Sequence, residues 1–211
     1  MKIVRFSMLM TCAAASALAQ GWEFGAVGGY SLLNDVSVTA PTGTATAGFA
    51  PGFVAGAFAG ENISNRLSGE IRYEFMQSDL KLSAAGQTAQ FSGVAHAIHY
   101  DFVFHASRGE SPVQFFASVG GGAKIFDATG AAQAYQPLSQ YGYFTDTHSI
   151  KPMGTVAAGL SFRIGPKLVL RTEIRDYMSS FPEAVLTPPP GVKYGGFLNE
   201  IVPMVSLVYS K

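Results

Sequence analysis

Cysteine, charge and long apolar runs are what this 211-residue chain has least of. The single cysteine is Cys12. Beyond it there is no thiol nucleophile, no disulfide and no thiolate metal ligand. Charged residues make up 13% of the chain, where about 25% is usual for a soluble domain. Leaving out Lys2 and Arg5, the 14 bases fall to 12 against 14 acids, a net charge of −2. That balance has no basic footprint, so a nucleic-acid partner is not expected. After residue 20 no segment has the ~20 continuous apolar residues that a membrane-spanning helix requires.

What is present begins at the amino end. Lys2 and Arg5 precede an apolar run over 8–15, and Ala17-Leu18-Ala19 stands before Gln20. This predicts a secretory signal peptide over 1–19 and a mature domain over 20–211. The apolar run is too short to span a bilayer. Thr11 before Cys12 is larger than the small residue expected at a lipidation site, which argues against a lipid anchor there. The rest of the chain carries most of the 24 glycines and of the 12% of aromatic residues. An exported chain rich in both, without a spanning helix, has the composition of a transmembrane β-barrel, whose strands show lipid only every second residue.

The clearest strand covers 67–75, where Leu67, Ile71, Tyr73 and Phe75 alternate with Ser68, Glu70, Arg72 and Glu74. A period of two sorts side chains to opposite faces of a strand. A soluble sheet would turn the apolar face to a core; a barrel in lipid would turn it outward and the charges inward. Similar alternation predicts strands over 22–32, 49–60, 90–105, 112–124, 151–164, 168–177 and 197–210. The connections between these eight strands run long, short, long, short, long, short, long. The long ones cover 34–48, 78–89, 127–150 and 178–196; the second is expected to carry no strand alternation, with Gly86 its turn signal, and the last contains Pro188-Pro189-Pro190-Gly191. The short ones include Arg108-Gly109-Glu110 and Gly165-Pro166-Lys167. An antiparallel barrel with all its long loops at one end follows, and an even strand number returns both termini to the periplasmic side.

With these features in place the chain resembles the small outer-membrane barrels of the OmpA transmembrane domain and OmpX type. More narrowly, His96-Ala97-Ile98-His99-Tyr100-Asp101, Gln133-Ala134-Tyr135-Gln136-Pro137 and Arg175-Asp176-Tyr177 resemble uncharacterised bacterial outer-membrane β-barrel proteins. The resemblance implies an all-β, eight-stranded, antiparallel, up-and-down transmembrane barrel in the cell outer membrane. Its implied partners are outer-membrane lipid, lipopolysaccharide and the barrel assembly machinery. Barrels of this kind usually end on an aromatic residue; here Tyr209 takes that place, followed by Ser210 and Lys211.

Three constellations could carry chemistry. Glu70, Arg72, Glu74, His99, Asp101, Lys124, Arg163, Arg171, Glu173 and Arg175 share the inward parity, and charges confined in a narrow lumen must pair. They are expected to form an ion-pair plug; the alternative is a narrow channel for small solutes. His99 and His105 lie about 20 Å apart along one strand, too far to share an ion. His99 with Asp101 supplies only two ligands, so neither metal nor cofactor is expected. His96, alone on the apolar face, raises the less favoured alternative of a lipid A-modifying enzyme, but that chemistry needs a serine nucleophile and an acid beside it on the lipid-facing wall, no such set is seen around it, and catalysis is not expected. Finally Tyr135, Tyr141, Tyr143, Phe144 and Tyr194 fall in long loops, as contacts for an extracellular ligand or as members of an interfacial aromatic girdle.

Overall fold

The computed structural model describes residues 21–106, 111–130 and 133–210; the signal peptide expected over 1–19 and the turn at Arg108-Gly109-Glu110 lie outside them. In chain order the strands begin with β1 (Trp22–Leu33), β2 (Val36–Ala40), β3 (Gly43–Phe49), β4 (Gly52–Ser64) and β5 (Leu67–Gln77). There follow β6 (Leu80–Ala84), β7 (Gln87–Phe91), β8 (Gly93–His105), β9 (Val113–Ala128) and β10 (Tyr143–Phe144). The last are β11 (His148–Arg163), β12 (Leu168–Ser180), β13 (Leu186–Thr187), β14 (Lys193–Tyr194) and β15 (Phe197–Ser210).

Eight of these close an antiparallel barrel in the order β1-β15-β12-β11-β9-β8-β5-β4. Closure is made by β1 against β15, from Glu23 opposite Ser210 to Leu33 opposite Glu200. Within that seam, pairing lapses at Tyr30 and Ser31, across from Pro203 and Val202. Pro203 has no N–H to donate to a ladder. Elsewhere the barrel leaves no free edge, and its backbone groups are satisfied between strands.

Burial is inverted relative to a soluble sheet. Ile71, Phe104, Phe115 and Ile174 are each more than half exposed on the outer wall, whereas Glu70, Arg72, Glu74, Asp101 and Arg175 are at most 1% exposed inside. The alternation seen in 67–75 therefore runs with its oily side out. Bands of aromatics mark both ends of that wall: Trp22, Phe24 and Tyr209 near the short turns, Tyr30, Phe53 and Phe197 toward the long loops. Such girdles sit at the two membrane interfaces.

The long connections carry sheet of their own. β2, β3, β6, β7 and β14 form a five-stranded sheet, and β10 pairs with β13 in a smaller one. The expectation that 78–89 carries no strand alternation is corrected: Leu80, Leu82 and Ala84 are buried and alternate with Lys81 and Ser83. Ala85 and Gly86, at φ 48° and 78°, make the two-residue turn into β7. Positive φ at both positions is the turn whose twist suits a hairpin. Similarly, 34–48 folds as the β2–β3 hairpin, with Val36, Val38, Ala45 and Ala47 buried. These apolar positions escape a sequence reading because strands of five to seven residues give too few alternations to stand apart from a loop. Packed with Leu138, Tyr141, Phe144, Val185 and Leu186, they build a cap whose core is continuous with the apolar upper lumen of Met76, Phe126, Met153 and Leu198.

Candidate functional site

Below that apolar layer the lumen is crossed by charge. In the barrel order β5 and β12 are four places apart among eight strands, hence diametrically opposite. β5 carries Glu70 and Arg72; β12 carries Arg171 and Glu173 with the signs reversed. The two sets meet reciprocally. Arg72 donates to both oxygens of Glu173, at 2.6 and 3.4 Å, and Arg171 donates to Glu70 at 2.6 Å. Arg72 also reaches back to Glu70 at 3.0 Å. The forked geometry of guanidinium against carboxylate gives each bridge direction as well as charge.

The neighbouring strands extend the set. Arg175 bonds the Asp101 carboxylate, the Thr155 hydroxyl at 2.9 Å and Glu173 at 3.3 Å. The His99 ring lies between two acceptors, Asp101 at Nδ1 and Glu74 at Nε2, each 2.9 Å away. Lys124 pairs with Glu200, whose other oxygen accepts from the Ser31 hydroxyl at 2.6 Å. Aromatic faces complete the packing: the Arg72 and Arg171 guanidiniums stand 4.5 and 5.2 Å from the Phe58 ring centre, and Arg171 is 5.0 Å from that of Phe116. Cation–π contact of this kind is favourable where water is excluded.

Of the ten residues expected to form the interior plug, Glu70, Arg72, Glu74, His99, Asp101, Arg171, Glu173 and Arg175 thus lie in one connected network, while Lys124 is buried beside it in a separate pair with Glu200. Arg163 is not brought into it. It has the inward parity but is the last residue of β11, and its side chain is exposed at the short-turn mouth. Sequence reasoning passed over Glu200, Glu23, Phe58 and Phe116. Glu200 shares the parity of the buried Leu198 and Val202, which is the signal that would have found it.

His96 sits on the outer wall with the Tyr73 hydroxyl 2.9 Å from Nδ1 and the Asp127 carboxylate 3.7 Å from Nε2. Its hydroxyl partner is a tyrosine. Ser68 lies 3.0 Å from His105 Nε2, and both are buried inside the barrel, away from the lipid-facing wall.

The five loop aromatics divide. Tyr135 is 83% exposed and Tyr143 is 37% exposed. Tyr141 and Phe144 are buried in the cap core, so as surface contacts they are corrected: their rings hold the loop rather than present it. Phe144 stacks on Phe91 at 5.3 Å, and its backbone is held by the Gln136 side chain at both N–H and C=O. Tyr194 is partly buried against Phe181 and donates to the Tyr141 carbonyl at 3.1 Å. Burial, reinforced by the Glu183 charge, pushes its hydroxyl pKa above the usual phenol range.

No protein-family model matches the chain, and no curated protein matches it in sequence. Solved structures do. The chain is similar to neisserial surface protein A (NspA), with a TM-score of 0.52 and 13% identity over 90% of this chain and 96% of that one. It is also similar to the outer membrane protein OprG from Pseudomonas aeruginosa, with a TM-score of 0.51 and 8% identity over 91% of this chain and 97% of that one. Identities this low speak to architecture alone. The chain has the fold of the small eight-stranded outer-membrane β-barrels.

Proposed function

We propose that this protein is an integral outer-membrane barrel, both termini periplasmic, whose lumen is closed to solutes by its ion-pair network and whose structured cap is a surface for interaction outside the cell. The observation that carries the reading is the reciprocal pairing of Glu70 and Arg72 with Glu173 and Arg171 across the full diameter of the barrel. An eight-stranded barrel has room inside only for side chains. Bridges anchored on opposite walls, packed on Phe58 and Phe116 and roofed by an apolar layer, leave a solute no path that does not break several buried charge pairs. The test is planar-bilayer recording with the refolded protein. No stable unitary current is expected, and large, long-lived conductance steps from the unmodified protein would sink the reading.

The loop surface is supported by the exposure of Tyr135 and Tyr143 on a cap that is itself well packed, since rigid aromatics bind at small entropic cost. The reading is of a structural or interaction protein rather than an enzyme, because His96 meets a tyrosine and the Ser68–His105 pair lies inside the barrel, away from lipid. Mass spectrometry of lipid A from expressing cells checks this: the acyl pattern should match that of control cells. Loss of an acyl chain that reappears on His96→Ala would make the protein a lipid hydrolase.

A further inference from the structure

The geometry points to an oxyanion-binding site at the short-turn mouth of the barrel, in which Arg163 and Arg171 hold a phosphate- or carboxylate-class anion over the hydroxyl of Ser161. The mouth is a polar cavity of about 350 Å³ below the ion-pair network, and these three residues line it. Their placement follows from register. Ser161 on β11 lies opposite Gln114 on β9 and opposite Arg171 on β12, so the three form a lateral row. Arg163 lies two residues nearer the rim on the same inward parity, opposite Val169. Diagonal neighbours on adjacent strands are about 7–8 Å apart at the backbone. Two arginines at that spacing, on the same face, repel unless a negative group stands between them.

The protein's own acids answer Arg171 but not Arg163. Glu23 is the one carboxylate lining the cavity among the described residues, and it stands 3.5 Å from Arg171. Glu70, the other acid on Arg171, lies on its inner side and is shared with Arg72. Among the described residues no carboxylate is within ion-pair distance of Arg163. Arg171 is itself 2% exposed, clamped between Phe58 and Phe116, and its Nε has no partner. The site therefore combines a fixed, desolvated guanidinium with an exposed, solvated one. That pairing suits a small anion entering from solvent, since Arg171 is preorganised and Arg163 can close on whatever it holds. Lys167 also lines the cavity, with its ammonium 3.5 Å from the Tyr209 hydroxyl at the rim.

The test is an NMR titration of the refolded, isotope-labelled protein in zwitterionic micelles at constant ionic strength, following the backbone amides over 161–171. One arm uses inorganic phosphate and the other uses acetate, which separates phosphate from carboxylate ligands. Saturable shifts confined to this mouth are expected in at least one arm. Arg163→Gln, at an exposed strand end, should weaken binding about tenfold, the loss of one charge-assisted contact worth ~1.4 kcal/mol. Ser161→Ala should weaken it by a smaller factor and serves if the first variant fails to fold. Shifts that grow linearly without saturation in both arms, or an affinity unchanged by either substitution, would overturn the proposal.

Discussion

A buried arginine in this barrel cannot be removed without stranding acids on two walls. Arg72→Ala leaves Glu70 and Glu173 facing one another with Arg171 and Arg175 as their remaining cations. Breaking a buried pair by deleting one partner typically costs about 3–5 kcal/mol. Urea unfolding of the barrel in lipid vesicles, followed through Trp22, should show a loss of that size, and bilayer recordings of the folded fraction should stay silent. Arg72→Lys keeps the charge but not the fork that spans both Glu173 oxygens, so it should recover only part of the loss. Glycine is held to equally narrow limits where strands meet the network. A Cβ at Gly120 would overlap the Asp101 carboxylate and the Tyr100 carbonyl. Gly120→Ala should therefore destabilise by about 1–3 kcal/mol, as overpacking does, measured by the same unfolding curve.

Among the elements, the cap and the barrel are distinct in what they need. The cap holds its shape through Val38, Leu82, Phe144 and Leu186, all at most 3% exposed, whereas the barrel wall is held by its ladders and its interior ion pairs. Phe144→Ala should remove about 3–5 kcal/mol of local packing and make 133–145 a site of protease cleavage in reconstituted vesicles, while the barrel keeps its heat-modifiable gel migration. Tyr135→Ala, on a side chain that is 83% exposed, should leave both cleavage and unfolding within ±0.5 kcal/mol of the parent, a range typical of surface changes. This contrast matters for any binding assay. Deleting 133–145 would take away Leu138, Tyr141 and Phe144 as well as the exposed tyrosines, and lost binding would then report a collapsed cap. Substituting Tyr135 alone tests the surface, because the Tyr143 hydroxyl also holds the loop by donating to the Gln133 carbonyl at 2.8 Å.

For the molecule as a whole, the inside-out distribution of side chains is only stable in a solvent that favours apolar surface. Ile98, 46% exposed near the middle of β8, belongs to a continuous belt with Ile71, Phe102 and Val119. Ile98→Arg should cost about 2–4 kcal/mol in a bilayer, the range for a basic residue at mid-depth on a lipid-facing strand. The same substitution on a water-exposed sheet would be close to neutral. Unfolding in vesicles therefore decides the belt's environment directly: a change under 0.5 kcal/mol would contradict a lipid-facing wall.

Periodicity of two, loop lengths that alternate and a scarcity of charge were enough to read eight strands, their order along the chain and a barrel from the sequence, because these depend on local pattern and on the need to satisfy every backbone group. The short cap strands were not legible, since runs of five to seven residues, several of them small or polar, are too short to stand apart from a loop. The burial of Tyr141 and Phe144 was equally hidden, because it depends on loops that are distant in sequence and adjacent only at the barrel rim. The 67–75 strand by itself determined that Glu70, Arg72 and Glu74 share one face. Only the tertiary structure decided what they meet: barrel closure sets β12 opposite β5, and the register of that closure brings Glu173 to Arg72 and Arg171 to Glu70 across a lumen one side-chain pair wide.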